Sequence, residues 1–427
     1  IIQLGLSTGA PASSTGVYAL TENYLFTVEA FKEYLEHLPS NGILSITRWL
    51  RPPPRESLRT VSLALAAVKE LNGDAPEKNI AILRSWGTIT VLVKKTAWTR
   101  EEIEKIKEFA ESRRFDLVYV PGILESEVNI YNRFSKDEYY HTINALLTAA
   151  KREDFYESYL FDVSPTRDEN PFFFHFFKPD RLKETYKSTG EKWQVFIEGG
   201  YIVYIILIQA LLLCFLFILL PLAGFKGRIA KTPRTLGIIF YFFLIGLAFM
   251  LVEIPLIQRF ILFLGNPVYA VSTVLFGLLV FSGIGSLYTG RLLTSVGYLR
   301  YIVMLLFATV LFYLLFLPWF FGIGLTINMS LKYIVSVLAL APLGFLIGMP
   351  LPIGIRLVEK IDSELIPWAW AANGSASVLG SILAVIIAMH TGFSHVMGLA
   401  SFAYVLSLAG AITAFAPHQQ REQNARW

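Results

Sequence analysis

The chain has 427 residues, 54% of them hydrophobic, with a formal net charge of +4 and a mean hydropathy of +0.52, which excludes an ordinary soluble protein and indicates a membrane class. Residues 1–200 carry 25 Lys/Arg and 28 Asp/Glu, against 12 and 5 in the rest, so the basic excess lies in loops between apolar runs and nucleic acid is not predicted as a partner. The single cysteine, Cys214, excludes an intrachain disulfide, and the six scattered histidines predict no metal site.

The first 200 residues alternate between strand-like and helix-like stretches. Apolar runs predict strands at 1–6, 42–50, 79–86, 88–95 and 116–122, and apolar spacings of three and four predict helices at 22–38, 56–72 and 99–115. Thr99, followed three residues later by Glu102, predicts a capping box at the start of the third helix. This alternation predicts an α/β layer with a mostly parallel sheet. No Gly-rich nucleotide loop follows a strand in this part of the sequence.

The second half contains seven apolar runs, each long enough to span about 30 Å of hydrocarbon. They are residues 200–223, 236–257, 267–288, 300–321, 331–353, 370–390 and 396–416. The lipid bilayer is therefore a predicted partner. The predicted organisation is an α/β part at 1–195, a transmembrane part at 196–417 and a polar tail at 418–427.

Three stretches resemble a known family. Residues 25–46, LFTVEAFKEYLEHLPSNGILSI, resemble without a gap the L-F-T-E-E-F-Y, helix, L-K-P-G-G-I-L segment of spermidine synthases. Residues 164–177, SPTRDENPFFFHFF, resemble the P-T-D-D-R-P-F-F-F-H-F element of membrane-fused spermidine synthase-like proteins. Residues 368–384, WAWAANGSASVLGSILA, resemble a run in their membrane part. The resemblance implies a partial Rossmann-like, class I methyltransferase-like α/β domain followed by an all-α bundle of about seven transmembrane helices.

The resemblance also implies that the chain is a fragment that begins inside the α/β domain. Residues 1–6 would be the fourth strand of the sheet, with the loop for decarboxylated AdoMet upstream, so this chain is expected to bind no cofactor itself. In the family, the first Asp of an Asp-rich loop before L-F-T takes the proton from the attacking amine. Ser14 and Val17 stand at the Asp positions in the ungapped register, so no catalytic residue is assigned.

The residues near that loop are candidates for binding a small polyamine. The substrate-binding candidates are Tyr18, Glu22 and Tyr24. Glu22 is the only acid nearby, and two interpretations stay open: a charge that favours the start of the helix at 22–38, or a displaced base or polyamine ligand. Tyr24 also fits the core face of that helix.

A second acidic position lies in the 164–177 stretch. Asp168 and Glu169 stand where the family has an acid pair, in a shifted context. The alternative interpretation of this stretch is a closing loop whose phenylalanines, Phe172, Phe173 and Phe174, pack under the sheet or against the bilayer surface.

Polar residues inside the apolar runs are the functional candidates of the membrane half. They are Glu253, Gln258, Arg259 and Asn373. Glu253 is interpreted either as a residue close to the interface, neutral or paired with a neighbour, or as part of a proton- or cation-linked site.

Small residues in the membrane half are predicted to serve helix packing. Gly374, Ser377, Ser381 and Ala384 form one small-residue face at spacings of three and four, and residues 282–290 and 344–354 are rich in glycine.

Two classes of function stay open. The first is a membrane-anchored relative of aminopropyltransferases, whose transfer to a polyamine is degenerate because the loop acid is missing. The alternative is a membrane transporter or binding protein with a non-catalytic α/β accessory domain. Ten basic residues on the side of the 223–236 connection against six on the other favour an external α/β part, whereas a cytosolic donor favours the inside. We expect a multi-pass inner-membrane protein with a cytoplasmic α/β part, and no oligomeric state is predicted.

Overall fold

The computed structural model describes residues 1–6, 22–72, 74–188, 201–221, 232–291, 295–324 and 326–424. The chain divides into two compact units, Ile1–Ile202 and Val203–Trp427. The first unit is α/β, and the second is all-α.

The N-terminal unit alternates strands and helices much as its hydrophobic pattern predicts. Its strands are β1 (Ile2–Leu4), β2 (Ile43–Trp49), β3 (Ile80–Arg84), β4 (Thr88–Lys94) and β5 (Asp116–Tyr119). Its described α-helices are α1 (Val28–Glu36), α2 (Glu56–Asn72), α3 (Arg100–Arg113), α4 (Glu138–Thr148), α5 (Arg152–Ser158) and α6 (Leu182–Ser188). The predicted capping box is confirmed, since the Glu102 N–H donates to the Thr99 hydroxyl and the Thr99 N–H donates to the Glu102 carboxylate.

The strands form one mixed sheet in the order β1-β2-β4-β3-β5. β1 and β2 pair in parallel, with Ile2 opposite Leu44, as predicted. The β2–β4, β3–β4 and β3–β5 pairs are antiparallel, so the prediction of a mostly parallel sheet is wrong. The reason for the β3–β4 pairing is local, because the short link around Gly87 cannot hold the crossover that parallel strands need. There the Ser85 N–H donates to the Thr88 carbonyl at 2.8 Å.

The main core lies between one face of the sheet and helices α1, α2 and α4. Strand β4 supplies alternate buried residues, Ile89, Val91 and Val93, as a half-covered strand does. Phe173 and Phe174 belong to the same core. Of the two places considered for the phenylalanines of this loop, the core under the sheet therefore applies to Phe173 and Phe174, while Phe172 is buried but is not part of this core.

The C-terminal unit consists of long apolar helices. They are α7 (Ile202–Cys214, continued as a π-helical turn, Phe215–Leu219), α8 (Pro233–Leu264), α9 (Pro267–Tyr288), α10 (Val296–Gly324), α11 (Met329–Ile347), α12 (Pro350–Glu359), α13 (Ile366–Thr391) and α14 (Phe393–Asn424). Among the described residues, six helical segments are long and apolar enough to cross a membrane. These helices fit a multi-pass membrane protein.

The first of the seven predicted runs differs from the other six. Within the described residues it contains a shorter apolar helix, Ile202–Phe217. The six later runs each fall in a membrane-length segment, and α11 with α12 make up one of these segments, Met329–Glu359. A seventh span therefore stays a prediction.

Glycines let the helices of this unit approach closely, as predicted for the two Gly-rich stretches. A Cβ on Gly285 of α9 would lie 2.0 Å from the Phe345 carbonyl oxygen of α11, and one on Gly348 would lie 2.0 Å from the Ser282 carbonyl oxygen. Neither position has space for a side chain, so both glycines are required by the packing.

The small-residue face of α13 is displaced from its predicted position. A Cβ on Gly374 would meet nothing within 4 Å. Gly380 instead packs against α8, where a Cβ would lie 3.1 Å from the Leu247 carbonyl oxygen. The Ser377 hydroxyl lies 3.5 Å from the Gly246 carbonyl oxygen of α8. The face that packs on α8 thus includes Ser377 and Gly380 but not Gly374.

Candidate functional site

Two stretches that carry the resemblance lie side by side in the N-terminal unit. The Asn23 N–H donates to the Pro171 carbonyl at 2.7 Å, and the Val28 N–H donates to the Thr166 carbonyl at 2.9 Å. The Thr166 hydroxyl returns a hydrogen bond of 2.6 Å to the Phe26 carbonyl. These bonds place the stretch that follows Glu22 against the stretch that carries Asp168 and Glu169.

This place lies near the carboxyl end of β2. The Arg48 guanidinium, one residue before the end of that strand, lies 4.8 Å from the centre of the Phe26 ring and 5.2 Å from that of Phe173. Arg48 is buried, and its Nη2 donates to the Glu56 carboxylate at 2.9 Å. In open α/β sheets, ligands bind outside the carboxyl ends of the strands, so the position is suited to a binding site.

Glu22 does not stand at the start of α1, so that interpretation of its charge is wrong. The helix begins at Val28, and the Thr27 hydroxyl caps it by accepting from the Ala30 N–H at 3.2 Å. The residues before the helix hydrogen-bond to the 164–171 stretch instead of continuing the helical ladder. Glu22 is half-buried, and burial raises its pKa to about 7.

Asp168 is the second half-buried carboxylate at this place. Its pKa is raised, chiefly by burial and further by the nearby charges of Glu29 and Glu169, while a hydrogen bond with Thr27 acts in the opposite direction. Its backbone N–H donates to the Glu29 carboxylate at 3.0 Å.

Among the described residues, basic side chains pair with the neighbouring acids but not with these two. Arg167 lies 3.2 Å from the Glu29 carboxylate and 2.6 Å from that of Glu70. Within the described parts of the chain, neither Glu22 nor Asp168 forms a salt bridge of 4.0 Å or less. The two carboxylates can therefore accept a cation, because an added positive charge would favour their ionised forms.

A buried arginine that the sequence reasoning missed holds this loop in position. Arg59 of α2 is 1% exposed. Its guanidinium donates to the Phe172, Phe173 and His175 carbonyls at 3.1, 2.7 and 2.7 Å, and it lies 3.1 Å from the Asp162 carboxylate. The sequence feature that could have identified Arg59 is an arginine within the otherwise apolar face of a predicted helix.

Other predicted residues of this site have different outcomes. Ser14, Val17 and Tyr18 lie outside the described residues. Tyr24 is half-buried, and its carbonyl accepts from the Thr27 hydroxyl at 3.4 Å. The residues that the structure describes contain no group of three or more His, Cys, Asp or Glu able to hold a metal ion.

Asn373 and Arg259, two of the membrane candidates, lie far apart along α8. Asn373 Nδ2 donates to the Phe242 carbonyl of α8 at 3.1 Å. Arg259 Nη2 donates to the Ser394 hydroxyl at 2.5 Å. At 1.5 Å per residue, Arg259 lies about 25 Å along α8 from Phe242. Glu253 and Gln258 are half-buried on the same helix.

Comparison with family models, with curated proteins and with solved structures found no match to this chain.

Proposed function

We propose that this integral membrane protein carries a spermidine synthase-like α/β unit that binds a cationic amine and has weak or lost aminopropyl transfer. The observation that carries the proposal is the direct contact between the 22–28 and 164–171 stretches. Both belong to or adjoin segments with family resemblance, and they meet near the carboxyl end of β2. The parallel pairing of β1 with β2 gives further support.

The carboxylates suit an amine ligand. Glu22 and Asp168 are half-buried, and no salt bridge to either occurs among the described residues. A protonated amine at either carboxylate would supply the opposite charge that it lacks. A base with a pKa near 7 is also well matched to accepting a proton at neutral pH. Glu22 is therefore the residue that we propose as amine ligand and as residual base.

Weak transfer is expected because Ser14 and Val17 replace the family acids in the ungapped register. Loss of a positioned general base costs roughly 10²- to 10⁴-fold in rate. The test is product formation from putrescine and decarboxylated AdoMet by the full-length protein in lipid nanodiscs. Putrescine binding is measured by calorimetry on the same sample. Glu33→Gln, which changes an exposed acid of α1, is the matched control for Glu22→Gln.

The outcomes separate the alternatives. Binding of putrescine that Glu22→Gln weakens at least tenfold and Glu33→Gln does not, with little turnover, is the expected result. Turnover at an ordinary enzyme rate that Glu22→Gln leaves unchanged would reject the assignment of the base. No binding and no turnover, even with Ser14→Asp, would favour the accessory-domain alternative and place function in the membrane unit.

A further inference from the structure

The C-terminal unit contains a cavity of about 370 Å³ between its helices. Its wall combines apolar side chains with hydroxyl and amide groups from α8, α9, α13 and α14 and from the break between α11 and α12. The polar side chains in the wall are Ser282, Ser286, Asn373, Ser377 and Tyr404. A volume of this size falls in the range of sites for small molecules.

Tyr404 of α14 is one of the residues that line this cavity. The residue is 1% exposed, and its hydroxyl has no hydrogen-bond partner among the described residues. Two other buried tyrosines of the same unit do have partners: Tyr241 donates to the Pro350 carbonyl at 2.7 Å, and Tyr313 donates to the Ala339 carbonyl. Because a buried hydroxyl without a partner is costly, the unsatisfied group points to a ligand.

The remaining polar wall offers acceptors. The Ser282 hydroxyl donates to the Leu279 carbonyl at 3.1 Å, and the Ser377 hydroxyl donates to the Asn373 carbonyl at 3.0 Å. Since each serine proton is directed to the backbone, its oxygen retains lone pairs for a donor. A ligand that carries a hydroxyl can bond both these oxygens and the Tyr404 phenol.

The charge of the wall restricts the ligand further. Among the described residues that line the cavity, none is Asp, Glu, Lys, Arg or His. Burying an ion without a partner of opposite charge is strongly unfavourable, so a protonated polyamine does not fit here. The cavity therefore accepts a different class of ligand from the amine site proposed for the N-terminal unit.

The mouth of the cavity lies on a membrane-length helix. Leu279 of α9 is 66% exposed, and a Cβ on Gly283 would meet nothing within 4 Å. Both residues lie inside the apolar segment Pro267–Arg291. A molecule dissolved in the hydrocarbon of the bilayer can therefore reach the cavity directly.

We infer that this cavity binds a small uncharged molecule with an apolar body and a hydroxyl group, which enters from the bilayer and hydrogen-bonds to Tyr404. The ligand's hydroxyl donates to a wall acceptor and accepts from the Tyr404 phenol, while Ile245, Phe249 and Leu351 surround its apolar body.

The test compares three probes with the same ten-carbon chain, 1-decanol, decane and protonated decylamine. Each is titrated into the full-length protein in lipid nanodiscs, and the melting temperature of the membrane unit is measured. Only 1-decanol is expected to raise it saturably. Equal effects of decanol and decane, a larger effect of decylamine, or no effect of decanol would each overturn the inference.

Two variants connect the effect to the cavity. Tyr404→Phe removes only the unpartnered hydroxyl and is expected to weaken decanol binding roughly 3- to 10-fold. It should not lower the melting temperature without decanol, and a lower value would show that the hydroxyl is already paired. Gly283→Leu fills the mouth and should abolish the effect. Tyr288→Phe, at an exposed tyrosine of α9, is the control and should bind decanol as the unaltered protein does.

Discussion

Arg59 and Phe173, 114 residues apart in the chain, are joined by a hydrogen bond of 2.7 Å from the guanidinium to the backbone carbonyl. The same guanidinium nitrogen also bonds the carbonyls of Phe172 and His175. One side chain of α2 therefore sets the path of the loop that carries Asp168. The position of the candidate site thus depends on a buried cation outside it.

Replacing that cation should release the loop. Arg59→Met leaves the Asp162 carboxylate without its partner and removes the bonds to the backbone. We expect a loss of about 1–3 kcal/mol in local stability, because buried carbonyls of the loop lose their donor. Hydrogen exchange with mass spectrometry on peptides over 162–177 would detect it as faster exchange. Arg167→Met, at an exposed arginine of the same loop, should cost no more than about 1 kcal/mol. Equal exchange in both variants would contradict the anchoring role.

The pH dependence of the N-terminal unit should reflect Glu22. Its pKa in the folded protein is about 7 against 4.5 in the unfolded chain. The folded state therefore binds more protons between these values, and stability falls as the pH rises from about 4.5 to about 7. Glu22→Gln should remove this fall and stabilise the unit at pH 8 by roughly 1–3 kcal/mol, since one pKa unit corresponds to about 1.4 kcal/mol.

The effect is measured by urea denaturation at pH 5 and at pH 8. Hydrogen exchange of peptides over 22–46 reports the unfolding of the N-terminal unit. Glu33→Gln provides the comparison on the exposed side of α1. If Glu22→Gln leaves the difference in stability between pH 5 and pH 8 unchanged, burial of Glu22 is not the cause of that difference. Binding of putrescine should be stronger at pH 8 than at pH 5, because more of the carboxylate is then ionised.

The chain of residues 1–427 should bind neither AdoMet nor its decarboxylated form. Its first 200 residues contain no Gly-rich loop of the type that holds such a nucleotide after a strand. Calorimetric titration of the purified chain is expected to give no saturable heat, with an active class I methyltransferase as positive control. A micromolar dissociation constant would contradict this prediction.

Close helix packing in the membrane unit should make two neighbouring glycines behave differently. Gly285→Ala would place a methyl group 2.0 Å from the Phe345 carbonyl oxygen, whereas Gly283→Ala would meet nothing within 4 Å. We expect the first change to destabilise the unit by about 1–3 kcal/mol, as overpacking does. The second should leave the melting temperature in detergent nearly unchanged. Similar melting temperatures for both variants would argue against the α9–α11 contact.

Local patterns predicted the elements well. The Thr99–Glu102 capping box acts within three residues, and α2 has its predicted bounds. The start of α1 was missed because the apolar spacing continues back through Tyr24 and Leu25. In the structure, the backbone of residues 23–28 hydrogen-bonds to residues 166–171 instead of forming a helix, and Leu25 is 46% exposed. The parallel β1–β2 pair followed from the strand–helix–strand order, whereas the antiparallel insertion of β4 between β2 and β3 did not.

The sequence alone predicts that an α/β unit precedes a membrane unit, because hydrophobic periodicity and segment length act over a few turns of chain. It also determined that no acid stands at Ser14 or Val17. Which polar groups meet depends on the tertiary fold: Arg59 bonds the Phe172, Phe173 and His175 carbonyls, the residues after Glu22 bond the stretch that carries Asp168, and Tyr404 lines a cavity. These encounters depend on contacts between elements far apart in the chain, which no local pattern of residues encodes.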